Sequence, residues 1–375
     1  MKNINMKQEK QRSETLPILG GLLLSGLRPL LAIVLALVVS SLLILAYGKN
    51  PLTAYAALLE GSVGSLASFA NTCVRTTPLL LGGLGVALAF KAGLLNVGIE
   101  GQIYAGAAAA TAVGIFPLPI PGFLHLTLAV LAGILGGVVW GFIPAYLRAY
   151  RGVSEIVTTL MLNYVGIYFI SYLVHEPSPL AEKETFFPMS PPIVPAAHLP
   201  ILVKGTSMHA GIIIGIVLVV VVFFLLKYTP FGYRIRMTGQ NPEAARYAGI
   251  KVNALMMTVM LVSAGFGGLA GVGETLGLKL RLFDFFSNGL GYDAMGVALL
   301  ANGNPIGVLF GAFFFGALRA GANKMQIVVG IDTPIAQVIQ ALAILFVIGI
   351  GFAERIRRTS QEKENEPALE QVPQE

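Results

Sequence analysis

The sequence predicts an all-α, polytopic membrane protein with 8–10 transmembrane helices, some of them broken or re-entrant. Three observations carry that expectation. Of the 375 residues, 55% are hydrophobic and only 12% are charged, whereas a soluble globular chain carries about 25% charged residues. Mean hydropathy is +0.76. Long uncharged stretches recur, beginning with 29–47, whose 19 positions suffice to cross about 30 Å of hydrocarbon. This first stretch is too long for the apolar core of a secretory signal, and no clear small-x-small cleavage site follows it. It therefore reads as a retained span.

Taken in order, spans are expected over 29–47, 64–90, 92–116, 122–147, 154–174, 209–227, 252–273, 293–318 and 334–352. Charge then assigns sides. Lys2, Lys7, Lys10, Arg12 and Arg28 place the N-terminal segment 1–28 in the cytoplasm, and Arg355, Arg357 and Arg358 place the tail 353–375 there too. Arg148 and Arg151 mark another inside loop. Segment 227–251 is the clearest one, with Lys227, Arg234, Arg236, Arg246 and Lys251 set against Glu243 alone, and 228–251 is the expected coupling loop. Residues 175–208 hold seven prolines, three Glu and two Lys, the composition of an extended outside loop. The tail beyond Arg358, rich in Glu, Gln and Pro, is expected to be disordered.

Nine spans conflict with two inside termini, which require an even number of crossings, so a segment must be split or re-entrant. Ala301-Asn-Gly-Asn-Pro305 is the best place for a break. The stretch 64–90, interrupted by Asn71, Arg75 and Pro78, is another. Broken helices in transporters commonly border the substrate path. Glycines at four-residue spacing (Gly133, Gly137 and Gly141; Gly267 and Gly271; Gly307 and Gly311) read as close helix packing.

The polar insert contains Gly239-Gln-Asn-Pro-Glu-Ala-Ala-Arg-Tyr-Ala-Gly-Ile250, which reads as a short docking helix. Asn241 is its N-cap, Pro242 takes the first helical position, Glu243 sits at the positive end of the dipole, and Gly249 closes it in a left-handed conformation. At about 7 residues, or roughly 10 Å, such a helix needs a neighbouring surface to be stable. A bland alternative is that Glu243 and Arg246 simply pair on one face.

Polar groups inside apolar segments mark the other candidates. In Lys91-Ala-Gly-Leu-Leu-Asn-Val-Gly-Ile-Glu-Gly-Gln102, Glu100 would cost about 2.5–3.5 kcal/mol facing lipid at mid-helix, so it faces protein, water or the interface. It either lies on a translocation path, contacts substrate, or satisfies backbone donors at a broken helix. Asn96 and Gln102 carry both donors and acceptors, suited to a polar neutral ligand. Ser154 is expected to cap the fifth span, with Glu155 in its first turn. Asn163 faces another helix or a cavity, and Tyr164 either packs or stacks on a flat ligand. Asp293 reads as a cap and Asp332 as a turn residue.

Several function classes are excluded or disfavoured. The net charge of +6 falls in loops between spans, which is the positive-inside pattern and not a nucleic-acid footprint. The single Cys73 excludes an intrachain disulfide and reads as a packing residue. His125, His175, His198 and His209 show no ligand spacing, and no nucleophile–base or metal pattern appears. The sequence contains no GxxxxGK[ST] loop, so any nucleotide hydrolysis belongs to another chain. An ion-coupled secondary transporter working through Glu100, Glu155 or Asp293 stays open as a rival.

Three stretches together resemble the permease subunits of bacterial ABC importers, in the branch of ribose, branched-chain amino acid and nucleoside permeases. They are Asn96-Val-Gly-Ile-Glu-Gly-Gln102, Asn241-Pro-Glu-Ala-Ala-Arg-Tyr-Ala-Gly249 and Gly291-Tyr-Asp-Ala-Met-Gly-Val-Ala-Leu-Leu-Ala-Asn-Gly-Asn-Pro-Ile-Gly307. The resemblance covers roughly 30–355. Ser154-Glu-Ile-Val-Thr-Thr-Leu-Met-Leu-Asn-Tyr164 is similar to the nucleoside permeases of that branch. It implies a transmembrane permease domain over 29–352 in a bacterial plasma membrane, working by alternating access. The implied partners are an ATPase with two nucleotide-binding halves, which carries ATP-Mg, a second homologous permease and a substrate-binding lipoprotein. The chain itself is expected to hold no cofactor and no metal. The resemblance implies ATPase coupling through Asn241, Glu243, Ala244, Ala245, Arg246, Tyr247 and Gly249. Asn96, Glu100, Gln102, Asn163 and Tyr164 are the candidates for the substrate path. Nucleosides lead as substrate, with simple sugars such as ribose next.

Overall fold

The structure is a computed structural model that describes residues 31–183 and 185–365, with side chains to residue 350. The expected cytoplasmic segment 1–28 and the last residues of the tail lie outside the described residues. The described residues form two compact units, one of 31–48 and 337–365, the other of 49–336.

The first unit contains α1 (Leu31–Ala46) and most of α13 (Pro334–Asn365). In α1, Ala32, Ala36, Ser40 and Ile44 are fully buried at four-residue spacing, one stripe of a 3.6-residue period. α13 runs past Arg358 to Asn365, so the first part of the tail expected to be disordered is helical.

The second unit is built from helices joined by loops. Its elements are α2 (Pro51–Val63), α3 (Leu66–Lys91), α4 (Ile99–Gly114), α5 (Gly122–Arg151), α6 (Glu155–Val174), α7 (Gly211–Tyr228), α8 (Pro230–Gln240), α9 (Pro242–Tyr247), α10 (Val252–Val272), a π-helix (Gly273–Lys279), α11 (Leu290–Leu300) and α12 (Pro305–Val329). Among the described residues, α3, α5, α6, α7, α12 and α10 with its π-helical extension are each long and apolar enough to cross a membrane. Local chemistry sets many of the starts. Asn50, Thr229, Asn241 and Asn304 each cap a helix whose first residue is proline, the residue that tolerates that donor-free position.

The break at 301–304 is present: α11 ends at Leu300 and α12 starts at Pro305. The break expected within 64–90 is not. α3 runs unbroken through Pro78, and nearly all its residues from Ala70 to Ala89 are buried. Neighbouring helices therefore hold the chain where proline removes one backbone bond. Thr76 and Thr77 hydroxyls also donate to the carbonyls of Thr72 and Cys73, 2.8 and 2.9 Å away. The span expected over 92–116 is shortened, because residues 92–98 are non-helical and α4 begins only at Ile99.

The core is built on backbone-to-backbone contact of α4, α5 and α10. A Cβ on Gly137 would lie 2.5 Å from the Ala264 carbonyl oxygen, and one on Gly271 would lie 2.2 Å from that of Ile103. The small-residue spacing in α5 and α10 thus does what it was expected to do.

The Pro-rich loop 175–208 is folded against helix ends of this unit. Ser190, Ile193 and Leu199 donate backbone bonds of 2.9–3.0 Å to Leu282, Leu280 and Leu276, and Val194 donates to Gly114. Ile193, Ala197 and Leu199 bury apolar side chains beside Ala110, Val272 and Leu276. Proline-fixed dihedrals suit this work, since each prolyl residue loses little freedom on docking.

Candidate functional site: a half-helix junction and an exposed coupling helix

The short helix expected at 241–249 is α9, six residues long. The Asn241 Oδ1 accepts from the Glu243 and Ala244 backbone N–H groups, both at 3.0 Å. Gly249 has φ +79° and closes the helix left-handed. Ala245 is fully buried, while Glu243, Ala244, Arg246 and Gly249 are exposed and Tyr247 is 93% exposed. One alanine anchors the helix, and nearly everything else is presented outward. Arg246 donates to Asn253 Oδ1 at 3.4 Å, and no Glu243–Arg246 ion pair occurs among the described residues. An exposed tyrosine beside an arginine is the composition of an interface anchor.

α8 links this surface to the membrane core. Its end meets the end of α3 so closely that a Cβ on Gly239 would lie 2.2 Å from the Lys91 carbonyl oxygen. Gly93, at φ +74°, backs onto the same Gly239. Residues 92–98 lead from there directly into the polar motif.

That motif folds into one buried junction. The Glu100 side chain, 1% exposed, accepts from Gly289 N–H through Oε1 (3.1 Å) and from Gly291 N–H through Oε2 (2.6 Å). Those donors open α11, and Glu100 itself lies in the first turn of α4. One carboxylate thus meets the positive ends of two short helices. Asn163 on α6 accepts from Gly101 N–H at 2.8 Å and donates to the Val97 carbonyl at 2.9 Å. The Asn96 and Gln102 amides pair reciprocally at 3.0 and 3.2 Å, and Asn96 also donates to the Ser263 hydroxyl at 2.9 Å. A Cβ on Gly291 would fall 2.3 Å from Glu100 N, so α11 approaches α4 at backbone contact. Of the three roles open to Glu100, the geometry displays the third, satisfaction of backbone donors at a broken helix.

Asn96, Glu100, Gln102 and Asn163 therefore come together, and Tyr164 does not. It points away on α6, with 52% of its surface exposed. Ser154 sits at the N-cap of α6 but makes no side-chain cap bond. Glu155 instead pairs with Arg148 at 3.1 Å and accepts from Leu95 N–H at 3.4 Å, tying α5 and α6 to the segment before the junction. Asp293 lies in the first turn of α11 but does not cap it. Its carboxylate takes Arg319 of α12 at 2.7–2.8 Å, since Gly289 and Glu100 already serve the helix start. Arg319, missed in the sequence reading, was legible as a cation inside the apolar stretch 305–329, which also holds Lys324. Lys279 pairs with Glu274 at 3.4 Å inside the π-helix, the kind of distortion common at functional sites. Arg75, half-buried in α3, makes no hydrogen bond or ion pair among the described residues.

His209 precedes α7 and follows the Pro-rich loop. Its Nδ1 accepts from Gly211 N–H at 3.2 Å, which leaves the proton on Nε2. Burial pushes the imidazole down to about 4.

A multi-span helical domain with a polar half-helix junction at its centre and a short exposed helix on a basic loop defines a membrane permease. The chain belongs to the family described as branched-chain amino acid transport system / permease component, which matches residues 68–348. It is 34% identical over 320 residues to the guanosine ABC transporter permease protein NupP of Bacillus subtilis, covering 85% of this chain and 92% of that one. It is 34% identical over 339 residues to the glucose ABC transporter permease protein TsgB13 of Haloferax volcanii, covering 88% of each. Against the nucleoside ABC transporter permease protein NupB of Lactococcus lactis it is 33% identical over 331 residues, 86% of this chain and 90% of that one. The same two bacteria each hold a second guanosine or nucleoside permease that matches at 28% and 26%. No solved structure matches.

Proposed function

We propose that this chain is the nucleoside-translocating permease subunit of an ATP-driven ABC importer in the plasma membrane, with both termini cytoplasmic. The observation that carries the substrate is likeness to permeases named for guanosine and nucleosides over 85% and 86% of the chain. That the same two bacteria hold second, more divergent permeases supports a heterodimer of two homologous permeases. An ATPase with two nucleotide-binding halves, carrying ATP-Mg, docks on Asn241, Glu243, Ala244, Arg246, Tyr247 and Gly249, with Ala245 as the buried anchor. A substrate-binding lipoprotein delivers nucleoside to the outer face.

In alternating access the permease contributes a difference in affinity between outward and inward states. The substrate path borders the α4–α11 junction. Asn96, Glu100, Gln102 and Asn163 act there as positioning residues, since most of their polar capacity is already taken by each other and by backbone. Tyr164, on an exposed face, is available to the second permease or to a flat base at the shared path. ATP-driven closure moves α9, and the Gly239–Lys91 contact passes that movement to residues 92–98 and the junction.

A second reading, transport of a simple sugar, is favoured by the equal likeness to a glucose permease. Proteoliposomes holding the complete transporter and its binding lipoprotein separate the two. With ATP inside and labelled guanosine, uridine, ribose or glucose outside, nucleoside accumulation is expected. Uptake of glucose or ribose with no nucleoside accumulation would assign the chain to sugars.

A further inference from the structure

We infer that a cavity of about 290 Å³ at the cytoplasmic end of α7 holds the phosphate headgroup of an anionic phospholipid. Lys91 from α3, Lys227 from α7 and Arg236 from α8 converge on it, and none of its lining residues is acidic. Asn304 and Pro305, at the start of α12, close one side, so the positive end of a 25-residue helix adds to the three cations. Phe223 and Leu226 supply an apolar floor.

Depth selects a lipid over a soluble anion. Lys227 is in the last turn of α7, a membrane-spanning helix, and its Nζ lies 5.4 and 5.3 Å from the Phe223 and Tyr228 rings. Tyrosine and lysine at a helix end mark the headgroup level. Phe224 and Tyr228 give α7 an exposed apolar wall, and Ile306 and Phe310, the latter 69% exposed, give α12 another. Acyl chains lie along such a wall while the phosphate meets the cations. Basic pockets between transmembrane helices on the cytoplasmic side suit this ligand. Lys91 already donates to the Asn302 carbonyl at 3.0 Å, which holds that side chain in place and leaves Lys227 and Arg236 to carry selectivity.

The test is native mass spectrometry of the purified transporter complex in mild detergent, with phosphatidylglycerol or phosphatidylcholine added. Wild type is expected to retain phosphatidylglycerol in preference to phosphatidylcholine. The paired change Lys227→Gln and Arg236→Gln should weaken retention by about fivefold per charge, and Lys227→Arg with Arg236→Lys should keep it. Equal retention of the two lipids by wild type overturns the inference without recourse to any variant. So does undiminished phosphatidylglycerol on the glutamine pair. Displacement of the lipid by millimolar inorganic phosphate would assign the site to a soluble anion. Loss of the ATPase from the glutamine pair with lipid retention unchanged would assign the surface to that partner.

Discussion

Single residues at the junction act through what they leave unpaired. Each Glu100 oxygen accepts one backbone N–H from the start of α11. Glu100→Gln keeps the shape but turns an NH₂ group toward one of those donors. A buried donor without an acceptor costs about 1–3 kcal/mol, so this variant should unfold at lower temperature in a thermal melt of the complex. An unchanged melting temperature would show that water or another group serves the donors. His209 acts through protonation. Its folded value of about 4 lies below the ordinary 6.5, so the unfolded chain binds the proton first. The stability gained from a neutral imidazole is fully present above pH 6.5 and is lost as pH falls toward 4, up to about 3 kcal/mol. His209→Asn retains an acceptor for Gly211 N–H and removes the titration. Its melting temperature should therefore fall less between pH 7 and pH 4.5 than that of wild type, and parallel pH profiles would refute the assignment. The type of these residues was visible in the sequence; their partners were not, because Glu100 and Gly289 are 189 positions apart.

At the scale of elements, legibility follows the range of the interaction that makes the element. α9 was readable in full, because its cap, its proline and its closing glycine lie within nine residues, 241–249. The start of α11 was not, because its capping acid comes from α4. The unbroken course of α3 through Pro78 was hidden for the same reason: the packing that holds it comes from other helices. In the proposed mechanism the chain of contacts α9–α8–Gly239–Lys91 carries the movement. Glu243→Ala and Arg246→Ala should weaken substrate-stimulated ATPase activity of the reconstituted complex at the outer end of that chain. Gly239→Ala should do so at its inner end, because the new Cβ would meet the Lys91 carbonyl oxygen at 2.2 Å and must push the α8 and α3 ends apart. Binding-lipoprotein docking should be unaffected in all three. Wild-type stimulation in Gly239→Ala would break the proposed link and leave α9 as an isolated docking element.

For the whole molecule, the question is which energy source moves substrate, and the arrangement of charge bears on it. A carboxylate that carries a proton or sodium across must release its partner in every cycle. Here Glu100 is held by two backbone donors, Glu155 by Arg148, Asp293 by Arg319 and Glu274 by Lys279. Removing one partner from a pair with a buried or partly buried member is costly, because the remaining charge stays partly desolvated. The sequence shows the acids and so leaves an ion-coupled carrier open; only the pairing, made mostly across helices, argues against it. The proposed importer, with α9 as its docking helix, puts the driving step on another chain. Uptake into proteoliposomes should therefore need the partner ATPase and internal ATP, and should persist when an uncoupler collapses the proton gradient at constant ATP. Accumulation by this chain alone, or its abolition by the uncoupler while ATP is held constant, would return one of these paired carboxylates to the role of ion carrier.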